Sequence, residues 1–203
     1  HGTSPANLAS VGWTDWAGAA DSAWRRVSGL CPRWVISGFS TGAGLALHEA
    51  AIHPERYAAL ISMAAPLGLV LAPGPFVRWA DRLLAAARRA GLAGSGAGFF
   101  PNRPDNPGIN YHWNCIHGVA EVQRLLRVVG AELGSIAMPA LVMQGSGDRV
   151  VKRGSARRIF EGLSSREKSL DIVPSDRHCI VRGPALGETS SAILRFLGKT
   201  GLA

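Results

Sequence analysis

The chain is short of cysteine, of long apolar runs and of charge in blocks, and each shortage excludes something. Its three cysteines, Cys31, Cys115 and Cys179, are odd in number and widely spaced, with no C-x-x-C pair. That excludes a disulfide framework and a cysteine zinc site, and a reducing, cytoplasmic compartment is compatible with it. No apolar run reaches the roughly 18 residues of a membrane-crossing helix. The longest mostly apolar stretch, Tyr57 to Pro73, is broken by Ser62, Pro66 and Gly68, so no integral membrane association is expected. No secretory leader is visible, and the chain opens HGTSP without an initiator methionine, which reads as a processed or trimmed product. The net charge of +8 is carried mostly by arginine. These arginines are scattered, with only short pairs such as Arg25-Arg26, Arg88-Arg89 and Arg157-Arg158. No basic block is interleaved with aromatics, so the charge reads as solvated faces and no nucleic-acid partner is expected.

What is present describes a globular chain. Apolar residues make up 47% of 203, enough for one domain, 1–203, with a substantial core. Val11 to Val27 reads as a helix with Thr14 as candidate N-cap and Gly29 as its stop. Arg33 to Ser37 reads as a buried strand, Gly42 to Ile52 as a helix ending before Pro54, and Ala58 to Met63 as the next strand. Pro75 to Arg89 is helical by composition, and the stretch GLAGSGAGFFPNRPDNPGIN reads as loop. A helix over Cys115–Leu133, a strand over Ala140–Gln144, a helix over Gly154–Leu163, a strand over Leu170–Val173 and a helix over Ala185–Leu197 follow. Strand and helix alternate, which predicts an α/β fold with a mostly parallel sheet covered by helices on both faces. Residues 67–118 interrupt the alternation with no strand of their own and read as a helical cap insertion.

One pentapeptide carries chemistry: Gly38-Phe39-Ser40-Thr41-Gly42, set between a strand-like run and a helix-like run. A serine hydroxyl needs exposure and a base to become a nucleophile. A sharp strand-to-helix turn supplies the exposure and requires small residues two before and two after the serine. The helix that follows aims its N-terminal amides at the reaction centre. In a sheet with such an elbow the acid and then the histidine follow at the ends of late strands. Asp148 follows the strand ALVMQ and His178 follows LDIV, so Ser40, Asp148 and His178 fall in that order, at strand ends that converge on one edge. Asp171, within a strand, and Asp176, only two residues from His178, are weaker candidates for the acid. His48 and His53 sit along the helix after the elbow, and His112 and His117 lie in the expected cap, away from a strand end.

At these residues the sequence resembles the α/β-hydrolase superfamily, and more closely its bacterial carboxylesterase and monoacylglycerol-lipase-like group. HGTSPANLASVGWTDW resembles that group's GHGxSPxxL…W-x-D-W segment, and VISGFSTGAG its elbow. LVMQGSGDRVV with SARRIFEGL resembles the acid loop and the next helix, and SDRHCI the base loop. The resemblance implies Ser40 as nucleophile, His178 as general base and acid, Asp148 as the orienting acid and the Thr41 N–H as one oxyanion donor, with no cofactor. In that group an earlier strand ends in a His-Gly loop that supplies the second donor. His1-Gly2 has no strand before it, so an N-terminally incomplete fold lacking the first strands and one donor is expected.

The expected activity is hydrolysis of small-molecule esters or lipids through an acyl-enzyme. Phe76, Trp79, Leu83, Leu84, Phe99, Phe100 and Trp113 offer an apolar cover suited to short-to-medium acyl esters or monoacylglycerols, or else simply pack the cap onto the core. Acyl transfer, lactone or amide hydrolysis by the same residues, and a non-catalytic domain of the same fold, are the alternatives. The oligomeric state is not legible.

Overall fold

The computed structural model of the chain describes residues 3–70, 74–94, 96–102 and 111–202. His1-Gly2 and residues 103–110 of the glycine- and proline-rich stretch lie outside them.

A four-stranded parallel sheet, β1 (Val35–Phe39), β2 (Ala59–Met63), β5 (Ala140–Gly145) and β6 (Lys168–Val173), is ordered as written. Its register sets Phe39 opposite Met63, Met63 opposite Met143, and Gly145 opposite Val173. All four strands therefore end along the same edge. Strand alternation sorts the two faces. Leu60, Ala140 and Val142 point into a core with α3 (Thr41–Ile52), α5 (Ile116–Glu132) and α6 (Ser155–Gly162). Ile61, Met63, Leu141 and Met143 point into a second core with Ala192 and Phe196 of α7 (Leu186–Lys199). The expected sheet with helices on both faces is the observed one.

Several local expectations are corrected. Helix α2 (Trp13–Val27) is capped by Gly12, whose N–H donates to Asp15 Oδ2 at 2.7 Å, so Thr14 is inside the helix rather than its cap. A short helix α1 (Pro5–Leu8) precedes it, capped by Ser4. The strand expected at Arg33 to Ser37 lies two residues later. Among the described residues β1 pairs only with β2, and its Ser37 is exposed, where β2 and β5 are buried throughout. Between β2 and β5 stands α4 (Gly74–Arg89). It is followed by an antiparallel ribbon of β3 (Phe99–Pro101) and β4 (Trp113–Cys115), in a segment expected to hold no strand. The ribbon is three residues a side, too short to leave a period-two signature among glycine and proline.

A network of charges binds α4 to α5. Buried Asp81 of α4 accepts from Arg124 at 2.7 Å and lies 3.0 Å from His117 Nδ1. Arg124 also reaches Glu121, whose other oxygen accepts the N–H of Trp13 at 2.9 Å. His117 Nε2 faces the carbonyl of Val11 at 3.2 Å. One cluster thus joins α4, α5 and the start of α2.

Candidate active site

Ser40 stands between β1 and α3 at φ 55°, ψ −122°. A non-glycine residue pays roughly 1–3 kcal/mol to hold such a conformation. Its neighbour in register, Ala64 after β2, is at φ 50°, and among the described residues these two alone of the non-glycines have positive φ. The strain is held by the sheet, since the Ser40 N–H donates to Met63 O at 2.8 Å and that of Ala64 to Met143 O at 2.7 Å.

The two glycines of the elbow are unequal. A Cβ on Gly38 would come within 2.2 Å of the Gly42 carbonyl oxygen, so only glycine lets α3 turn back over the strand. A Cβ on Gly42 would meet nothing within 4 Å. The sequence pattern led us to expect both to be sterically required, and only the first is.

The loops after β5 and β6 meet beside the elbow. Ser146 N–H donates to Val173 O and Gly147 N–H to Ser175 O, at 2.9 and 2.7 Å. A Cβ on Gly145 would lie 2.9 Å from Arg177 O, and one on Gly147 would lie 2.9 Å from Asp176 Cα. The glycines of GSGD therefore permit backbone-to-backbone contact of the two loops. Asp148, buried at their junction, uses both oxygens. Oδ1 accepts the N–H groups of Val150 and Val151 at 2.8 and 2.9 Å, and Oδ2 lies 2.9 Å from His178 Nδ1. The far nitrogen of that ring, Nε2, lies 2.8 Å from Ser40 Oγ. Burial pushes the Asp148 carboxyl upward, but the hydrogen bonds from His178, Val151 and Val150 outweigh it and hold its pKa below the ordinary value. The Phe39 ring packs against the His178 ring at 5.0 Å between centroids. Phe39 was singled out in the sequence only as an elbow residue, and this support of the imidazole is visible only in three dimensions.

The other candidates stand elsewhere. Asp176 is exposed and 3.8 Å from Arg149, and Asp171 is 3.7 Å from Arg195. His48 lies 2.8 Å from Glu132, His53 lies near Glu55, His112 is exposed, and His117 belongs to the α4–α5 network.

Ser40 and Thr41 open onto a cavity of about 470 Å³. Thr41 is the first residue of α3, so its N–H has no carbonyl one turn back to bond. The walls are mostly aliphatic: Leu8 of α1, Leu45 of α3, Leu69 and Val150 of the loops, and Val119 and Val122 of α5. The aromatic residues expected to cover the site do not line it. Phe76 and Trp79 of α4 are 65% and 59% exposed, and Leu83, Phe100 and Trp113 also face solvent. Helix α4 turns its one acidic residue, Asp81, inward instead, so its aromatic face is left outside. From the expected cap, Leu69, Asn114, Cys115 and Gly118 line the cavity instead, together with Leu8 of α1 and Val119 and Val122 of α5, which the sequence did not assign to the site.

Comparison with known proteins agrees with this architecture. The family model described as serine aminopeptidase, S33 matches residues 105–185. The chain is 25% identical over 183 residues to a thermostable monoacylglycerol lipase of Bacillus sp. (strain H-257), covering 88% of this chain and 68% of that one. Among solved structures, one from a description of the metagenome-derived lipolytic enzymes LipS and LipT superposes with a TM-score of 0.80 at 24% identity, over 98% of this chain and 78% of that one. The monoacylglycerol lipase of Paleococcus ferrophilus follows at 0.71 and 16%, over 95% and 77%. At such identities the superpositions show a shared fold.

Proposed function

We propose that this chain, which belongs to the α/β-hydrolase superfamily in its esterase- and monoacylglycerol-lipase-like group, hydrolyses carboxylic esters of short to medium acyl chains through Ser40, His178 and Asp148. The observation that carries the reading is the continuous hydrogen-bonded relay from buried Asp148 through His178 to Ser40 Oγ, opening on an aliphatic cavity.

In this reading the neutral His178 ring carries its proton on Nδ1, held there by Asp148 Oδ2, and so presents a bare Nε2 to the serine. As Oγ attacks the ester carbonyl, its proton passes to Nε2. The imidazolium that forms is stabilised by the Asp148 carboxylate, whose charge is fixed by two backbone N–H groups. The oxyanion develops at the start of α3, where the Thr41 N–H and the helix dipole favour negative charge. Nε2 then returns the proton to the departing alcohol and the acyl group stays on Ser40. Water enters, gives its proton to Nε2, and releases the acid by the same steps reversed. The cavity suits this task by size and lining, since about 470 Å³ of mostly aliphatic surface accepts an alkyl chain and offers no charge to pair with a polar one.

The test is a fluorophosphonate probe followed by mass spectrometry and a chain-length series on p-nitrophenyl esters. Adduct at Ser40, lost in His178→Ala, with a maximum at short to medium chains, is expected. A folded sample that leaves Ser40 unlabelled overturns the assignment, and a flat chain-length profile overturns the substrate class.

A further inference from the structure

A second cavity, of about 410 Å³, lies on the far side of Leu69 from the catalytic one, and Leu69 lines both. Its polar wall differs in kind. Arg78 comes from α4, Arg127 and Gln123 from α5, Lys152 from the loop after β5, and Arg158 from α6. None of these four cations has an ion-pair partner among the described residues, although other arginines of the chain do. The nearest carboxylate of α4, Asp81, is already occupied by Arg124 and His117. Arg78 is half-buried, and burial together with the guanidiniums of Arg127, Arg124 and Arg82 holds its pKa below the ordinary arginine value.

One of the cations, Lys152, is also positioned. The Lys152 N–H donates to Gly68 O at 2.9 Å, and its stem lies so close over Gly68 that a Cβ there would be 3.0 Å from Lys152 Cδ. Elements separated in the chain thus converge four positive charges on one concavity without an acid among them. Like charges brought together without a counter-charge raise the local potential and concentrate anions. Arginine forks and a lysine point charge suit the tetrahedral oxygens of a phosphate.

We propose that the cavity of Arg78, Arg127, Lys152 and Arg158 binds a phosphate group beside the acyl cavity. The group belongs either to a free phosphorylated molecule or to a lipid headgroup. Phe76 and Trp79, exposed next to Arg78 and Arg82, form the adjoining apolar rim and favour the lipid source. The inference goes beyond the ester-hydrolase reading and is independent of it, because the site contains none of Ser40, Asp148 or His178.

The experiment is run on the full chain carrying Ser40→Ala, so that no outcome depends on hydrolysis. Sodium pyrophosphate binding is followed by calorimetry. Retention on vesicles of phosphatidylcholine with phosphatidylglycerol is compared with retention on phosphatidylcholine alone. Binding in either assay is expected, weakened roughly tenfold or more in Arg78→Gln/Arg127→Gln. The same loss is expected in Lys152→Gln/Arg158→Gln, drawn from different elements in case the first pair perturbs the fold. The control Arg26→Gln/Arg166→Gln removes the same charge from exposed positions elsewhere and should bind unchanged. Pyrophosphate binding without vesicle retention identifies a free phosphorylated ligand, and retention dependent on phosphatidylglycerol identifies a headgroup. No binding in either assay, or equal loss in the control, overturns the proposal.

Discussion

Gly38 and Gly42 flank Ser40 symmetrically in sequence, yet the space around them differs, and that asymmetry can be measured. Gly38→Ala should abolish fluorophosphonate labelling and lower stability, because its methyl group meets backbone that cannot move without unwinding the start of α3. Gly42→Ala should leave the fold intact, with Tm unchanged or slightly raised by helix propensity. Asp148 is the second residue with a testable double role. In Asp148→Asn the amide oxygen can still accept from Val150 and Val151, but the partner of His178 Nδ1 is no longer an obligate acceptor. We expect kcat to fall about 10⁴-fold with little change in Tm. Glu49 supplies a pH dependence away from the site. It is buried in α3, with Arg56 3.7 Å away, and burial outweighs the neighbouring His53 and Arg56 to raise its pKa above the usual carboxyl value. The native state therefore holds this proton to higher pH than the unfolded chain, and stability falls as pH rises above the unfolded value. Glu49→Gln should raise Tm at pH 7 and leave it unchanged near pH 4, a difference that thermal melts at the two pH values would read.

Among the elements, the covering role expected of the aromatics of residues 67–118 falls in part to α5, most of which lies beyond that span. Helix α5 gives Val119 and Val122 to the acyl cavity, so filling that space should shorten the accepted chain. Val122→Phe should shift the p-nitrophenyl ester profile toward acetate, with roughly tenfold lost in kcat/KM for each methylene that no longer fits. Helix α4 is held by Asp81 rather than by its aromatics. Asp81→Ala removes the partner of Arg124 and His117, both partly exposed, and should cost about 1–3 kcal/mol in chemical denaturation. The helix itself was legible, because fifteen residues of good formers leave a clear pattern. Its orientation was not. Phe76, Trp79 and Leu83 lie on one helical face and look like a core stripe, but a buried Asp81 tied to Arg124 turns that face outward.

At the scale of the whole molecule, stability should follow position in the sheet. Strands β2 and β5 are buried on both faces and paired on both sides, whereas β1 is half-buried and, among the described residues, paired on one. Amide hydrogen exchange should therefore be slowest in β2 and β5 and faster by at least an order of magnitude in β1.

The α/β alternation, the parallel sheet and the order Ser40, Asp148, His178 were determined by the sequence alone, since local periodicity and strand-end position are properties of short segments. Tertiary structure decided the rest, because each remaining feature depends on residues far apart in the chain. Phe39 meets His178 only when β1 and the loop after β6 come to one edge. Arg78 and Arg158 share a cavity only when α4 and α6 do. A side chain at Gly42 would stand in open space only because of where α3 lies. Spacing along a chain carries no record of such distances, and packing fixes them.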